Sequence, residues 1–110
     1  MLLTEIDHVA IAVNDLEAAI DYYARAFGAS VDHREVVESD GVEEALLKVA
    51  ESYIQLLTPT RDDSPVAKAL AKRGEGLHHI GYRVDDCAEA LAAMVAAGAT
   101  ALDQAPRPGS

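Results

Sequence analysis

The chain has 110 residues, half of them hydrophobic and a quarter charged, and its 19 acidic against nine basic side chains give a formal net charge of −10. That size suits one domain with a modest core, and the acidic excess works against the broad electropositive face that nucleic acid or an anionic membrane surface requires. The single cysteine, Cys87, excludes an intrachain disulfide, and no signal-like start, lipidation pattern or long apolar run is present, so the expectation is a reduced, cytoplasmic protein with no nucleic-acid or membrane partner.

Residues Ile6 to Val13, IDHVAIAV, form a short run with β-branched residues that predicts a strand, interrupted at Asn14-Asp15 where a helix can be capped. From Leu16 the apolar positions Leu16, Ala19, Ile20, Tyr23 and Phe27 recur at helical spacing and Gly28 comes next as a stop, which predicts a helix packing through those residues. Tyr22 and Tyr23 both read as packing residues. Ser30–Val37 and Glu44–Val49 read as strands joined near the turn dipeptide Asp40-Gly41. Glu51-Ser52 marks a weaker turn before the strand Tyr53–Leu57, which Thr58-Pro59 ends, and Ser64-Pro65 opens a helix through about Lys72.

The last third of the chain repeats its start. HVAIAVNDLEAAI from His8 is echoed by HIGYRVDDCAEAL from His79, and Phe27-Gly28-Ala29 by Ala97-Gly98-Ala99. Because the self-similarity runs through a strand, an acidic cap, a helix and its glycine stop, the expected fold is α+β, built from two copies of one strand-helix-three-strand module. The first module covers 1–59, a connecting helix 60–76, and the second 77–110, truncated after its helix with a proline-rich tail from Thr100 to Ser110. Missing strands would leave an unpaired sheet edge, which predicts aggregation, strand exchange between chains or assembly with a separate fragment.

His8 and His79 hold the same position of the two repeated strands, so pseudo-symmetric packing converges them. Two readings stay open: a metal site completed by carboxylate or amide oxygens, or two separately hydrogen-bonded strand histidines. Gln55, inside YIQLLTP, is either a third ligand or a solvent-facing residue of an alternating strand. Glu44 stands where a strand could carry its carboxylate over the sheet as a general base, and Glu43, of opposite parity, cannot share that cavity; the alternative is a solvated acidic pair beside a turn. His33 reads as part of a polar strand face with Asp32, Arg34 and Glu35, and His78 yields to His79 on the register of the repeat. Lys68, Lys72 and Arg73 make the end of the connecting helix the most basic part of the chain, suited either to a substrate phosphate or simply to the negative end of a helix dipole.

The histidine repeats, YIQLLTP, the stretch SPVAKALAKRGEGLHHIGYRVDD and the closing PRPG together resemble the methylmalonyl-CoA epimerase family of the vicinal oxygen chelate (glyoxalase-like) superfamily, over essentially the whole chain. The resemblance implies paired βαβββ modules curved around a divalent-metal site, within a homodimer. It implies His8, Gln55 and His79 as metal ligands and Glu44 as one of two proton-transfer carboxylates; the acyl-CoA it implies as substrate would bring the phosphate for which the Lys68, Lys72 and Arg73 cluster is a candidate binding patch. The expected metal is Co2+, with Mn2+, Ni2+, Zn2+ or Mg2+ accepted by the same donors. The implied reaction interconverts the (R) and (S) forms of methylmalonyl-CoA by proton abstraction and return at C2. The family's second carboxylate lies in a final strand without counterpart in this sequence, so a chain ending at Ser110 is expected to bind metal weakly and to be impaired. The competing expectations are a glyoxalase-like lyase or dioxygenase of the same superfamily, and a non-catalytic small-ligand binding protein.

Overall fold

The computed structural model describes residues 1–98. Five strands and three helices occur in the order β1 (Leu3–Ala12), α1 (Leu16–Phe27), β2 (Val31–Val37), β3 (Val42–Val49), β4 (Ser52–Pro59), α2 (Pro65–Arg73), β5 (Gly76–Val84) and α3 (Cys87–Ala96). The segment Thr100–Ser110, on which the expected truncation of the second module bears, lies outside the described residues.

The local signals act as their chemistry dictates. Asp15 caps α1 by accepting from the backbone N–H of Ala18, and Gly28 ends the helix in the left-handed conformation at φ 70°. Ser64 caps α2 in the same way through Ala67, with Pro65 in the first turn. Asp86 repeats at α3 what Asp15 does at α1, accepting from Glu89 N–H. Three of the predicted strands fall short of those observed, and β2 starts one residue later than predicted: β1 begins at Leu3, β3 at Val42, and β4 runs through Pro59 because β3 pairs with it along its whole length, from Val49↔Ser52 to Val42↔Pro59. The tight turn between those strands falls one residue early, on Ala50-Glu51, with Ala50 at φ 53°.

All five strands join one sheet in the order β2-β3-β4-β1-β5. β1 lies parallel to β4 and antiparallel to β5, so the two repeated strands are direct neighbours. Register partners share a face, and the two faces of the sheet bury different clusters. On one, Ala45, Leu47 and Leu56 pack with Val13, Leu16, Ile20 and Tyr23 under α1. On the other, Ala10, Ala12, Val42 and Leu57 pack with Val66 and Leu70 of α2. The helix α2 covers one end of that second face and leaves the rest, where the candidate residues stand.

Two expectations fail at the end of α1. Phe27 is 69% exposed and Tyr22 is 55% exposed, stacked edge-on with each other at 6.2 Å rather than packed in the core. Tyr22 lies off the helix face that carries Leu16, Ile20 and Tyr23, and Phe27, on that face, is the last residue of α1 and stands outside the cluster they join. No residue of α3 is buried among the described residues.

Leu47 is fully buried in the cluster under α1, so Leu47→Ala is expected to lower unfolding free energy by about 2–5 kcal/mol. A shift of the urea midpoint at unchanged slope is the measurement that checks it.

Candidate metal and acid-base site

The antiparallel register pairs His8 with Gly81 and Ala10 with His79. Each histidine therefore stands opposite the small residue two places after the other histidine, in a local two-fold arrangement that the repeat itself generates. The small residues make the room. A Cβ built on Gly81 would fall 2.1 Å from Cε1 of His8, so the imidazole occupies the volume that any larger residue would fill. The outcome is that His8 Nε2 and His79 Nε2 lie 3.2 Å apart with the rings edge-on at 89°.

Ala10 is also the register partner of Gln55 on its other side, which places Gln55 on the same face as the two histidines. Gln55 is 2% exposed and donates through Nε2 to Glu44, itself 0% exposed. The solvent-facing alternatives for both residues are thereby excluded, and Glu43 takes the opposite face, where its carboxylate accepts from Arg34 at 3.0 Å. After this pairing Gln55 Oε1 and Glu44 Oε1 remain buried without a partner. An unsatisfied buried acceptor costs about 1–3 kcal/mol, and one beside converging imidazoles has the chemistry of a cation ligand.

Protonation is set by the surroundings. Burial pushes the Glu44 carboxyl above the usual range; the hydrogen bond from Gln55 opposes this and the neighbouring Glu35 carboxyl reinforces it. Glu35, the register partner of Glu44 on β2, is held below the usual range by its hydrogen bond with His33 and then by Glu44. Of the two neighbouring acids, Glu44 therefore has the higher proton affinity. Burial, then the charges of His78 and His8, keep the His79 imidazole below the ordinary histidine range, which favours the neutral, ligating form.

Sequence reasoning set His33 aside as part of a polar face. The hairpin register instead puts it beside Glu35 at 3.0 Å, on the face that carries Glu44. Donor atoms of His33, Glu35 and Glu44 all lie within 4.8 Å of one another, so these residues also form a donor set suited in type to a divalent cation. Their i, i+2 spacing opposite a strong turn was the signal that could have found them. Also missed was Asp7, whose carboxylate contacts His8 and Arg83.

The basic residues occupy the last two turns of α2 and are exposed. Arg73 stands close enough to His78 for its charge to lower that imidazole's proton affinity, second to burial. Lys68 acts electrostatically on Asp63 instead. A cavity of about 140 Å³ opens between α2 and the sheet, lined by Val42, Gln55, Leu57, Val66, His78 and His79. Among the described residues no helix is long and apolar enough to cross a membrane.

Residues 7–110 match the Glyoxalase/Bleomycin resistance protein/Dioxygenase superfamily, and the chain belongs to it. Within that superfamily it is a homologue of methylmalonyl-CoA epimerases. The Ethylmalonyl-CoA/methylmalonyl-CoA epimerase of Cereibacter sphaeroides is 37% identical over 102 residues, covering 92% of this chain and 76% of the relative. A Streptomyces coelicolor methylmalonyl-CoA epimerase variant, solved in complex with 2-nitronate-propionyl-CoA, superposes with a TM-score of 0.91 at 45% identity, covering 98% of this chain and 81% of that one. The Mycobacterium tuberculosis methylmalonyl-CoA epimerase gives a TM-score of 0.92 at 36% identity over 99% of this chain and 74% of that one.

The raised Glu44 carboxyl makes a pH prediction for the metal-free protein. A carboxyl whose proton affinity is higher folded than unfolded contributes stability that is fully present below the ordinary glutamate range and lost as pH rises through the folded value. Glu44→Gln removes this dependence, so its stability relative to wild type should increase from acid to neutral pH and level off once Glu44 is ionised in the folded state. The gain at neutral pH is expected to be about 1–3 kcal/mol; thermal midpoints of both proteins across pH 4–8 check the sign.

Proposed function

We infer that this chain is an acyl-CoA epimerase that interconverts the two configurations at C2 of methylmalonyl-CoA. The observation that carries the reading is the Glu44 carboxyl, fully buried and raised above the usual carboxylate range by that burial, on the sheet face where the two imidazoles converge. The hydrogen at C2 is acidic because it lies between a thioester and a carboxylate. Glu44, once ionised, takes that proton, the C–H electron pair moves into the thioester carbonyl as an enolate, and a proton returned to the opposite face of C2 gives the other configuration.

His8, Gln55 and His79 are assigned as the ligands of a divalent metal, cobalt first among Mn2+, Ni2+, Zn2+ and Mg2+. The orphaned Gln55 Oε1 and the neutral imidazole nitrogens support that assignment. When bound, such an ion supplies positive charge to the oxygen on which the negative charge develops. Gln55 then has two tasks, since its Nε2–H donates to Glu44 and keeps the base oriented while Oε1 faces away from it.

Lys68, Lys72 and Arg73 are assigned to the phosphates of the CoA moiety. Lys68 and Lys72 are one helical turn apart on α2, and Arg73 adjoins the histidine end of the site. A homodimer in the cytoplasm completes the reading, with residues 1–59 and 77–110 as the two modules and 60–76 as their connection.

Glu44→Gln is expected to slow loss of the C2 hydrogen about 10²–10⁴-fold, read as deuterium incorporation from D2O into a single configuration of methylmalonyl-CoA. Exchange at the wild-type rate would remove Glu44 from the mechanism. Replacing Lys68, Lys72 and Arg73 together by alanine should raise KM with kcat nearly unchanged, because contacts to a remote phosphate bind ground and transition states alike. An unchanged KM together with unchanged salt dependence would show that the patch only solvates the helix end.

A further inference from the structure

Two residues beside the ligands are left unexplained by the reaction, and both occupy the same place in the fold. In the β1–β5 ladder Ile6 pairs with Tyr82 and His8 with Gly81, so Asp7 is an extra residue with no partner opposite it. Further along, Ala10 pairs with His79 and Ile11 with Leu77, which leaves His78 as the extra residue of β5. Both strands thus bulge at the residue immediately before the histidine. A bulge re-aims side chains that regular alternation would send to opposite faces. Here each bulged residue meets the Nδ1 of the histidine next to it: Asp7 Oδ2 lies 2.9 Å from His8 Nδ1, and His78 Nδ1 lies 2.8 Å from His79 Nδ1.

We propose that Asp7 and His78 are positioning residues that hold Nδ1 of His8 and His79 and so turn both Nε2 atoms toward one another. The proposal rests on the assignment of His8 and His79 as metal ligands. The carboxylate of Asp7 can only accept, so His8 carries its hydrogen on Nδ1 and offers a bare Nε2 to the site. Asp7 is itself fixed from behind, because Arg83 donates to its Oδ1 through Nη2 at 2.6 Å and Nε at 3.1 Å, and through Nη1 to Glu5 at 2.5 Å. Gly81 leaves open, on the remaining side of the ring, volume that a Cβ would close.

His78 differs from Asp7 in one respect: an imidazole nitrogen can either donate or accept. In the metal-free protein His8 Nε2 is an acceptor, so the 3.2 Å contact is made by a hydrogen on His79 Nε2. His79 Nδ1 is then bare and accepts from His78 Nδ1–H. For His79 to offer a bare Nε2 its hydrogen must sit on Nδ1, donated to His78 Nδ1, with the His78 hydrogen now on Nε2. Each ring keeps one hydrogen throughout, so no net proton is released. His8 is thereby set permanently for ligation, whereas His79 is convertible through His78.

The experiment is ring-nitrogen NMR of the metal-free protein, then titration with Zn2+ for spectra and Co2+ for affinity. Wild type should show His8 with its hydrogen on Nδ1, His79 with its hydrogen on Nε2, and transfer of the latter to Nδ1 on adding Zn2+. Asp7→Ala should leave the His8 ring averaged between tautomers and weaken Co2+ about 10–100-fold, while Asp7→Asn, whose amide oxygen still accepts, should restore both. His78→Ala should do to His79 what Asp7→Ala does to His8. Arg83→Gln, which removes the contacts that fix Asp7 from behind, should shift the His8 tautomer and Co2+ affinity in the same direction by a smaller amount if Asp7→Ala fails to fold. Wild-type ring spectra in both alanine variants, or an Asp7→Asn as impaired as Asp7→Ala, would overturn the proposal. Unchanged Co2+ affinity in His8→Ala and His79→Ala would overturn the ligand assignment, and with it the metal half of the proposal, while the metal-free spectra still decide the positioning half.

Discussion

The antiparallel pairing of β1 with β5 is the constraint on which the site depends. It joins the two repeats at their first strands, and its register sets each histidine opposite the small residue of the other repeat. A shift by one residue would send one imidazole to the α1 face and close the space that the other occupies. The bulges at Asp7 and His78 leave the intervening His8–Gly81, Val9–Ile80 and Ala10–His79 pairs in unbroken register, so the irregularity needed to aim the outer partners does not disturb the geometry of the inner ones.

The second feature of the site works against stability. Glu44 and Gln55 are wholly enclosed and keep one unpartnered oxygen each, a combination that proteins tolerate where the orphaned atom has a task. The cost is met by the two apolar clusters, one on each face of the sheet, which flank the polar pair with Val42 and Leu57 on its own face and with Ala45 and Leu56 beneath it. The same arrangement confers rigidity, since Glu44 and Gln55 sit on the central strands β3 and β4 rather than on loops. A base held in this way is available in one orientation, as removal of a proton from one face of a carbon requires.

Electrostatics divides the molecule in a similar manner. The acidic excess is spread over exposed positions and helix N-termini, whereas the cations that matter are local: Arg34 ties β2 to α1 and β3, Arg83 ties the two repeats together, and the basic end of α2 borders the cavity beside His78. An overall negative charge is thus compatible with an anionic substrate, because screening over about 8–10 Å confines each surface charge to its neighbourhood.

Much of this was present in the sequence. The repeat alone joined His8 to His79, because two copies of one module tend to pack symmetrically, and caps such as Asp15, Ser64 and Asp86 marked helix starts through local chemistry that needs no tertiary context. Parity separated Glu44 from Glu43 once a strand was assigned. What only the tertiary structure decided was burial and register: that Gln55 and Glu44 face inward and bond to each other, that Glu35 and His33 border them, that Phe27 stands outside the cluster under α1, and that Asp7 and His78 are unpaired residues of bulges. Alternation and helical spacing are properties of a few consecutive residues, whereas a register shift arises from fitting two distant strands together, and no local pattern of one strand contains the other.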